Sequence, residues 1–258
     1  MKYIVIFVLI ALTVSCIGGG DLFHQTLAAN QVIPSDKGRL DHHKWDLLLK
    51  KYVDSDGFVD YQGFKEQEEE LKEYLDYLNE NPPQKSWGIN EQFAYYINLY
   101  NSNTVYIILI NDLPDSIKDI DGPLGQVWLK KFIKVDDKEY SLAAVEKNVL
   151  QKMGDARIHF AINCASYSCP KLQNTAFTAA NVNALMDKSA KEFINSDKND
   201  LTDPNHPNLS SIFSFYPKDF TRNGLTLPAY INQYADTEIA EKEEYSYIAY
   251  DWSLNKQK

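Results

Sequence analysis

Cysteine is scarce in this chain: three in 258 residues, at positions 16, 164 and 169. That excludes a disulfide-dense secreted scaffold and a multi-cysteine zinc module. With 10 Pro and 11 Gly, the chain has too few of either for a fibrous or low-complexity protein. Basic charge is in deficit, 26 Lys and Arg against 36 Asp and Glu, and the formal net charge is −10. Nucleic acid and anionic lipid surfaces both need a basic face, so no nucleic-acid partner is expected. Also missing are a Gly-rich phosphate loop, a His-Glu-x-x-His zinc motif, a Gly-x-Ser-x-Gly elbow and any internal repeat. No apolar run reaches the roughly 20 residues of a membrane-spanning helix. What is present is a 44% hydrophobic, 13% aromatic chain, rich enough in apolar surface for one well-packed domain.

The N-terminus stands apart. Lys2 precedes an apolar stretch, Tyr3 to Val14, that ends at Ser15 and Cys16, the layout of a secretory signal. Leu12-Thr13-Val14-Ser15-Cys16 resembles the lipobox of bacterial lipoproteins, in which the cysteine is acylated and becomes the new N-terminus. The expected organisation is a signal peptide over 1–15, a lipidated Cys16 with a tether over 16–38, and one globular domain over 39–258. The expected partner is a membrane, reached through the lipid on Cys16. The soluble domain would lie outside the cytoplasm, at the bacterial outer membrane or cell surface. Ordinary secretion is the alternative.

Periodicity predicts helices over 39–52, 64–78, 90–111 and 141–151, a further one from Thr178 to Phe193, and a short one near Pro228 to Tyr234. The longest carries Phe93, Tyr96, Ile97, Tyr100, Thr104, Ile107 and Ile108 on one face, with Asn90 as its N-cap. At 100° per residue, Glu91, Tyr95, Asn98 and Ser102 share the opposite face, with Asn101 on its shoulder. That face reads either as solvated or as a buried polar network, since Asn has poor propensity inside a helix. Phe132–Tyr140 reads as a hairpin around Asp136-Asp137. Arg157–Asn163, Ile212–Tyr216 and Tyr245–Tyr250 read as strands. Helices early and strands late predict an α+β fold, with a long amphipathic helix and its flanking helices on a mostly antiparallel sheet.

Two features resemble metal or catalytic motifs without completing them. Asp54-x-Asp56-Gly57 is similar to part of a calcium loop, but its first and last ligand positions would fall on Tyr52 and Gly63. A plain turn is expected there. His42-His43 has no third partner and reads as exposed. No metal and no cofactor are expected.

The block Arg157-Ile-His159-Phe-Ala-Ile-Asn163-Cys164-Ala-Ser-Tyr-Ser-Cys169-Pro170 is richer. A thiol near an imidazole can become a nucleophile, with a carboxylate or amide orienting the ring. Two cysteines four residues apart in an exported protein can equally close a Cys164–Cys169 disulfide, and both readings stay open here.

Several stretches, Glu91 to Asn101, Ser141 to Glu146, Arg157 to Pro170 and Tyr250 to Asn255, resemble the bacterial and plant family called domain of unknown function 547. That family usually has His after the Glu, where Lys147 stands here. Its layout of a long helix followed by strands carrying a His resembles papain and transglutaminase folds. In those enzymes the nucleophile opens the long helix, where this chain has Glu91 and Gln92. The sequence therefore predicts a polar cleft lined by Glu91, Asn98, Asn101, Glu146 and His159, with Asn163 as a further ligand-binding residue. Its chemistry would be thiol-dependent acyl transfer or amide hydrolysis: Cys164 as nucleophile, His159 as base, Glu91 or Glu146 as orienting group. The ligand would be a peptide or a small molecule. The competing expectation is a non-catalytic envelope binding or scaffold module stapled by the disulfide.

Overall fold

The computed structural model describes residues 22–27, 38–122, 126–242 and 244–258. The expected signal peptide, Cys16 and most of the expected tether lie outside the described residues. Four helices open the domain: α1 (His43–Tyr52), α2 (Tyr61–Glu66), α3 (Glu68–Glu80) and α4 (Ile89–Leu109). The predicted helix over 64–78 is two helices, because Gln67 leaves helical geometry at φ −119°, ψ 31°. Asp60 caps the first of them, accepting from Gly63 N.

The longest helix, α4, is not amphipathic in its setting. Of its 21 residues all but Tyr106 are buried, with α2, α3 and α8 packed around it. A helix covered on every side must satisfy its polar side chains internally, so the buried-network reading of its polar face is the correct one. Gly88, not Asn90, is its N-cap; Asn90 sits buried in the first turn.

The chain then forms a short antiparallel hairpin, β1 (Ile133–Val135) with β2 (Lys138–Tyr140), in register Ile133↔Tyr140. Asp136 and Asp137 turn it at φ 53° and 56°, the left-handed pair that a two-residue hairpin requires. Ser141 caps α5 (Leu142–Val145), which continues through a π-helical turn, Glu146–Leu150, into α6 (Gln151–Met153). Next come α7 (Ile158–Ala161), α8 (Val182–Ile194), β3 (Asn208–Ser210), α9 (Ser211–Phe215), α10 (Pro217–Phe220), α11 (Leu227–Ile231) and β4 (Ser246–Ile248), the last parallel to β3. The fold is α+β.

Two segments predicted as strands are helical, 157–163 and 212–216. Both are short apolar runs, too short for a period of 2 and a period of 3.6 to be told apart, and the first is buried around its whole circumference. In the first, Gly154 at φ 92° stops α6, and the Asp155 carboxylate accepts from Arg157 N at 2.9 Å, setting up a new helical turn.

The core has two parts. One surrounds α4. The other gathers Phe193, Phe213, Phe220 and Tyr230 around Phe160 of α7. The ends of the chain close over the first part. Gln25 N donates to Gln92 Oε1 at 2.8 Å, Leu27 N to Met153 O at 2.8 Å, and Tyr96 OH to Phe23 O. Residues 22–27 of the expected tether are thus docked on the domain. At the other end, Val59 N donates to Asn255 O and Leu254 N to Asp115 O, tying the tail to the early turns. Gly57 lies so close to Lys171 that a Cβ there would stand 2.7 Å from the Lys171 Cβ. The Asp54 turn packs there as a plain turn, its Oδ1 accepting from Asp56 N and Phe58 N.

His42 is buried, contrary to the sequence reading. Its Nδ1 pairs with Tyr74 OH at 2.7 Å, and Tyr74 stacks on Trp45. Burial lowers its pKa to about 4, against a smaller opposing pull from Asp41. The folded state therefore holds this imidazole neutral while the unfolded chain takes up a proton below about pH 6.5. This contribution is intact above pH 6.5 and shrinks as pH falls toward 4, by about 3 kcal/mol in all. Urea unfolding from pH 7 to pH 4 should show that loss in the wild type and a clearly shallower one in His42→Asn.

Candidate functional site

A cleft of about 340 Å³ opens along the seam between the two parts of the core. Its walls come from α4 (Tyr100), the turn at Trp128 and Leu129, the π turn (Glu146, Lys147), α7 (His159), the Cys164–Pro170 loop, α9 with Tyr216, and the tail (Tyr250, Trp252).

The Cys164–Pro170 loop is held from three sides. From below, Asn101 of α4 accepts from Asn163 N at 2.8 Å and donates to Ala161 O at 2.9 Å. Asn163 closes the loop, donating to Pro170 O and accepting from Ala165 N, both at 2.8 Å. From the tail, Ser253 O and Asp251 O accept from Tyr167 N and Ser168 N. From α8's far end, Lys198 Nζ donates to Cys169 O at 2.6 Å and to Tyr167 O. So clamped, Ala165 is buried at φ +61°, a left-handed conformation that costs an alanine roughly 1–2 kcal/mol.

This clamp brings the two thiols together. Both are free. Cys169 Sγ accepts from Cys164 N at 3.0 Å and from Tyr250 OH at 3.3 Å. Ser166 Oγ donates to Tyr250 OH at 3.0 Å and lies 3.2 Å from Cys164 Sγ. Burial opposes ionisation of Cys169, but the Cys164 thiol, the Tyr250 hydroxyl and the Cys164 N–H outweigh it and hold its pKa at about 6. Cys164 moves the other way, pushed well above its usual range by its bond to Cys169 and then by burial. The negative charge of the pair thus sits on Cys169, not on Cys164.

Across the cleft, His159 is buried, with Nε2 2.8 Å from Asp219 Oδ2 and its ring stacked on Tyr216 at 4.0 Å. Asp219 is held in turn by Arg222, whose Nη2 donates to Oδ1 at 2.6 Å. Burial opposes the Asp219 charge, yet the bonds from His159 and Arg222 keep its pKa below the usual range. Glu146 opens the π turn, a feature that recurs at functional sites. Its Oε1 accepts from Tyr216 OH at 2.7 Å. Burial and then the Glu146 charge drive the Tyr216 pKa far up, so Tyr216 stays a donor.

Of the residues expected in the cleft, Glu146, His159 and Cys164 line it, as does Cys169, which was expected only as a disulfide partner. Glu91, Asn98, Asn101 and Asn163 are absent from its walls. Glu91 accepts from Arg39 N at 2.7 Å and Leu40 N at 2.9 Å, fastening the incoming chain at the start of α4, where a carboxylate also suits the helix dipole. Asn98 exchanges two hydrogen bonds with the backbone of Phe177. The group that orients His159 is Asp219, which sequence reasoning missed. The only sign of it was the Asp219-x-x-Arg222 spacing on one helical turn. Tyr216, Tyr250, Trp128 and Trp252 as walls were equally out of reach. Among the described residues no group of three or more His, Cys, Asp or Glu is placed to hold a metal ion.

Fold and cleft together describe an α+β protein with a two-thiol site. Residues 84–194 match the family described as Protein of unknown function, DUF547. The matched segment carries Glu146, Lys147, His159, Cys164 and Cys169, whereas Tyr216, Asp219, Tyr250 and Trp252 come from beyond it. No curated protein and no solved structure matches the chain.

A low Cys169 pKa has a direct readout. Alkylation by iodoacetamide across pH 4–10, followed by peptide mass spectrometry, should give Cys169 a midpoint near pH 6, against about 8.5 for an ordinary thiol. Tyr250→Phe removes one donor to the thiolate and should raise that midpoint by about one unit.

Proposed function

We propose that this protein is a cysteine-dependent acyl transferase or hydrolase, with Cys169 as the nucleophile and His159–Asp219 as its proton-handling pair. The observation that carries this reading is the Cys169 sulfur, accepting from the Cys164 N–H and the Tyr250 hydroxyl, in the same cleft as a carboxylate-bound imidazole. In the first step the Cys169 sulfur attacks the acyl carbon. The bond to the leaving group breaks, and that group departs with a proton from His159 Nδ1. In the second step a water, or another acceptor hydroxyl or amine, gives its proton back to His159 as it attacks the thioester, and Cys169 leaves as thiolate. Asp219 fixes the ring through Nε2, so that Nδ1 is the nitrogen left for exchange. Cys164 supports the charge on its neighbour, a different role from the attacking one expected of it.

Incubating the protein with p-nitrophenyl butyrate and digesting it should find a butyryl thioester on Cys169. Turnover should fall to background in Cys169→Ser and by about 10²–10⁴-fold in Asp219→Asn and His159→Ala, in variants that circular dichroism shows to be folded at the assay temperature. Absence of the adduct in the wild type, or alkylation without reductant that finds Cys164 joined to Cys169 and no free thiol, would overturn the reading in favour of a stapled binding module.

We also propose that the domain is exported and held at the bacterial cell envelope by a lipid on Cys16. The apolar run, the lipobox-like pattern and an acidic surface unsuited to direct lipid binding support this. Expressed in a bacterium, the full chain should partition into detergent with a diacyl mass on its N-terminal peptide. A Cys16→Ser chain should be aqueous; equal partitioning of the two would refute it.

A further inference from the structure

The cleft's polar groups are nearly all engaged with one another. Glu146 is held by Tyr216, His159 by Asp219, and Tyr250 by Ser166 and Cys169. Among the charged wall residues, Lys147 has neither an ion pair nor a hydrogen bond to the described residues, whereas Glu146 is held by tyrosine hydroxyls. A sugar needs several free donors and acceptors around its ring, and an extended peptide needs a strand edge with open N–H and C=O groups. Helices and turns supply the walls, and among the described residues no strand lines them.

What the cleft does offer is apolar and continuous. Trp128 meets Trp252 edge-on at 5.5 Å, Trp252 lies 4.5 Å from Tyr250, and Tyr250 lies 5.5 Å from Phe215. At the mouth Phe215 is 49% exposed and Leu129 is 72% exposed, so the apolar surface runs from the thiolate to solvent. Scattered exposed apolar residues mean little, but a run joined to a pocket marks a ligand path. The volume, about 340 Å³, lies at the small end of the roughly 300–1,000 Å³ range of ligand sites.

We propose that the acyl group transferred is an apolar aliphatic chain of medium length, lying along Trp252, Tyr250 and Phe215 with its carbonyl at Cys169. The identity of the reacting atom rests on the thiol reading above; the grip on the chain does not. Two measurements keep these apart. The first is calorimetric binding of N-methyl octanamide and N-methyl acetamide to the Cys164→Ser/Cys169→Ser variant, which has no nucleophile in the cleft. The octanoyl amide should bind at least about tenfold tighter, and Phe215→Ser, at an exposed position that leaves folding intact, should remove most of that preference. The second is the rate of thioester formation by wild type from p-nitrophenyl octanoate and acetate. Equal binding of the two amides, or thioesters that form equally fast from both esters, would overturn the chain-length inference. Tight octanamide binding with no thioester from either ester upholds the apolar site and sinks the thiol reading alone.

Discussion

The site depends on how α4 satisfies its asparagines. A helix buried on all sides cannot leave amides unpaired, because each orphaned polar group costs about 1–3 kcal/mol. Asn98 resolves this by gripping both backbone groups of Phe177, and Asn101 by gripping Asn163 N and Ala161 O. The second of these fixes the end of α7 and the start of the cysteine loop relative to the buried helix α4. Asn163 passes the constraint on to Pro170, and Asn255 links it to Tyr61 OH through a bond at 2.7 Å. Residues distant in sequence are thereby locked into one amide chain beneath the thiols.

On that base the loop can hold conformations it would not hold alone. Ala165 stays in left-handed geometry because Asn163 Oδ1, Asn255 N and the Lys198 clamp fix the residues around it. With the loop so held, Cys164 N points at Cys169 Sγ, and a buried sulfur becomes the more acidic of the two. Burial by itself would have done the opposite. Directed donors therefore outweigh desolvation at Cys169, and the tail contributes one of them, Tyr250. The C-terminal residues serve both as a wall of the cleft and as part of its electrostatics.

The start of α4 shows the same economy with a different result. There Glu91 and Gln92 bind the backbone of residues 39, 40 and 25. The helix terminus anchors the incoming chain, and both thiols of the cleft sit in the loop that follows α7.

Much of the local structure was legible in the sequence. The hairpin around Asp136-Asp137 follows from its alternation, and the α5 start at Ser141 from capping chemistry. The α4 span follows from its 3.6-residue apolar repeat, and the turn at Asp54 from its Asp and Gly residues. These depend on neighbours within a few residues, whose periods and caps sequence spacing fixes directly. Short buried runs such as Ile158–Ala161 were not legible, because complete burial erases the period that separates helix from strand. The cleft was half legible. His159, Cys164, Cys169 and Glu146 lie in blocks whose residue types suggested chemistry, but Asp219, Tyr216 and Tyr250 are brought to them only by packing. Which thiol carries the charge was decided by tertiary structure alone, since an acidity set by donors 3.0 and 3.3 Å away depends on directions in space that residue order does not encode.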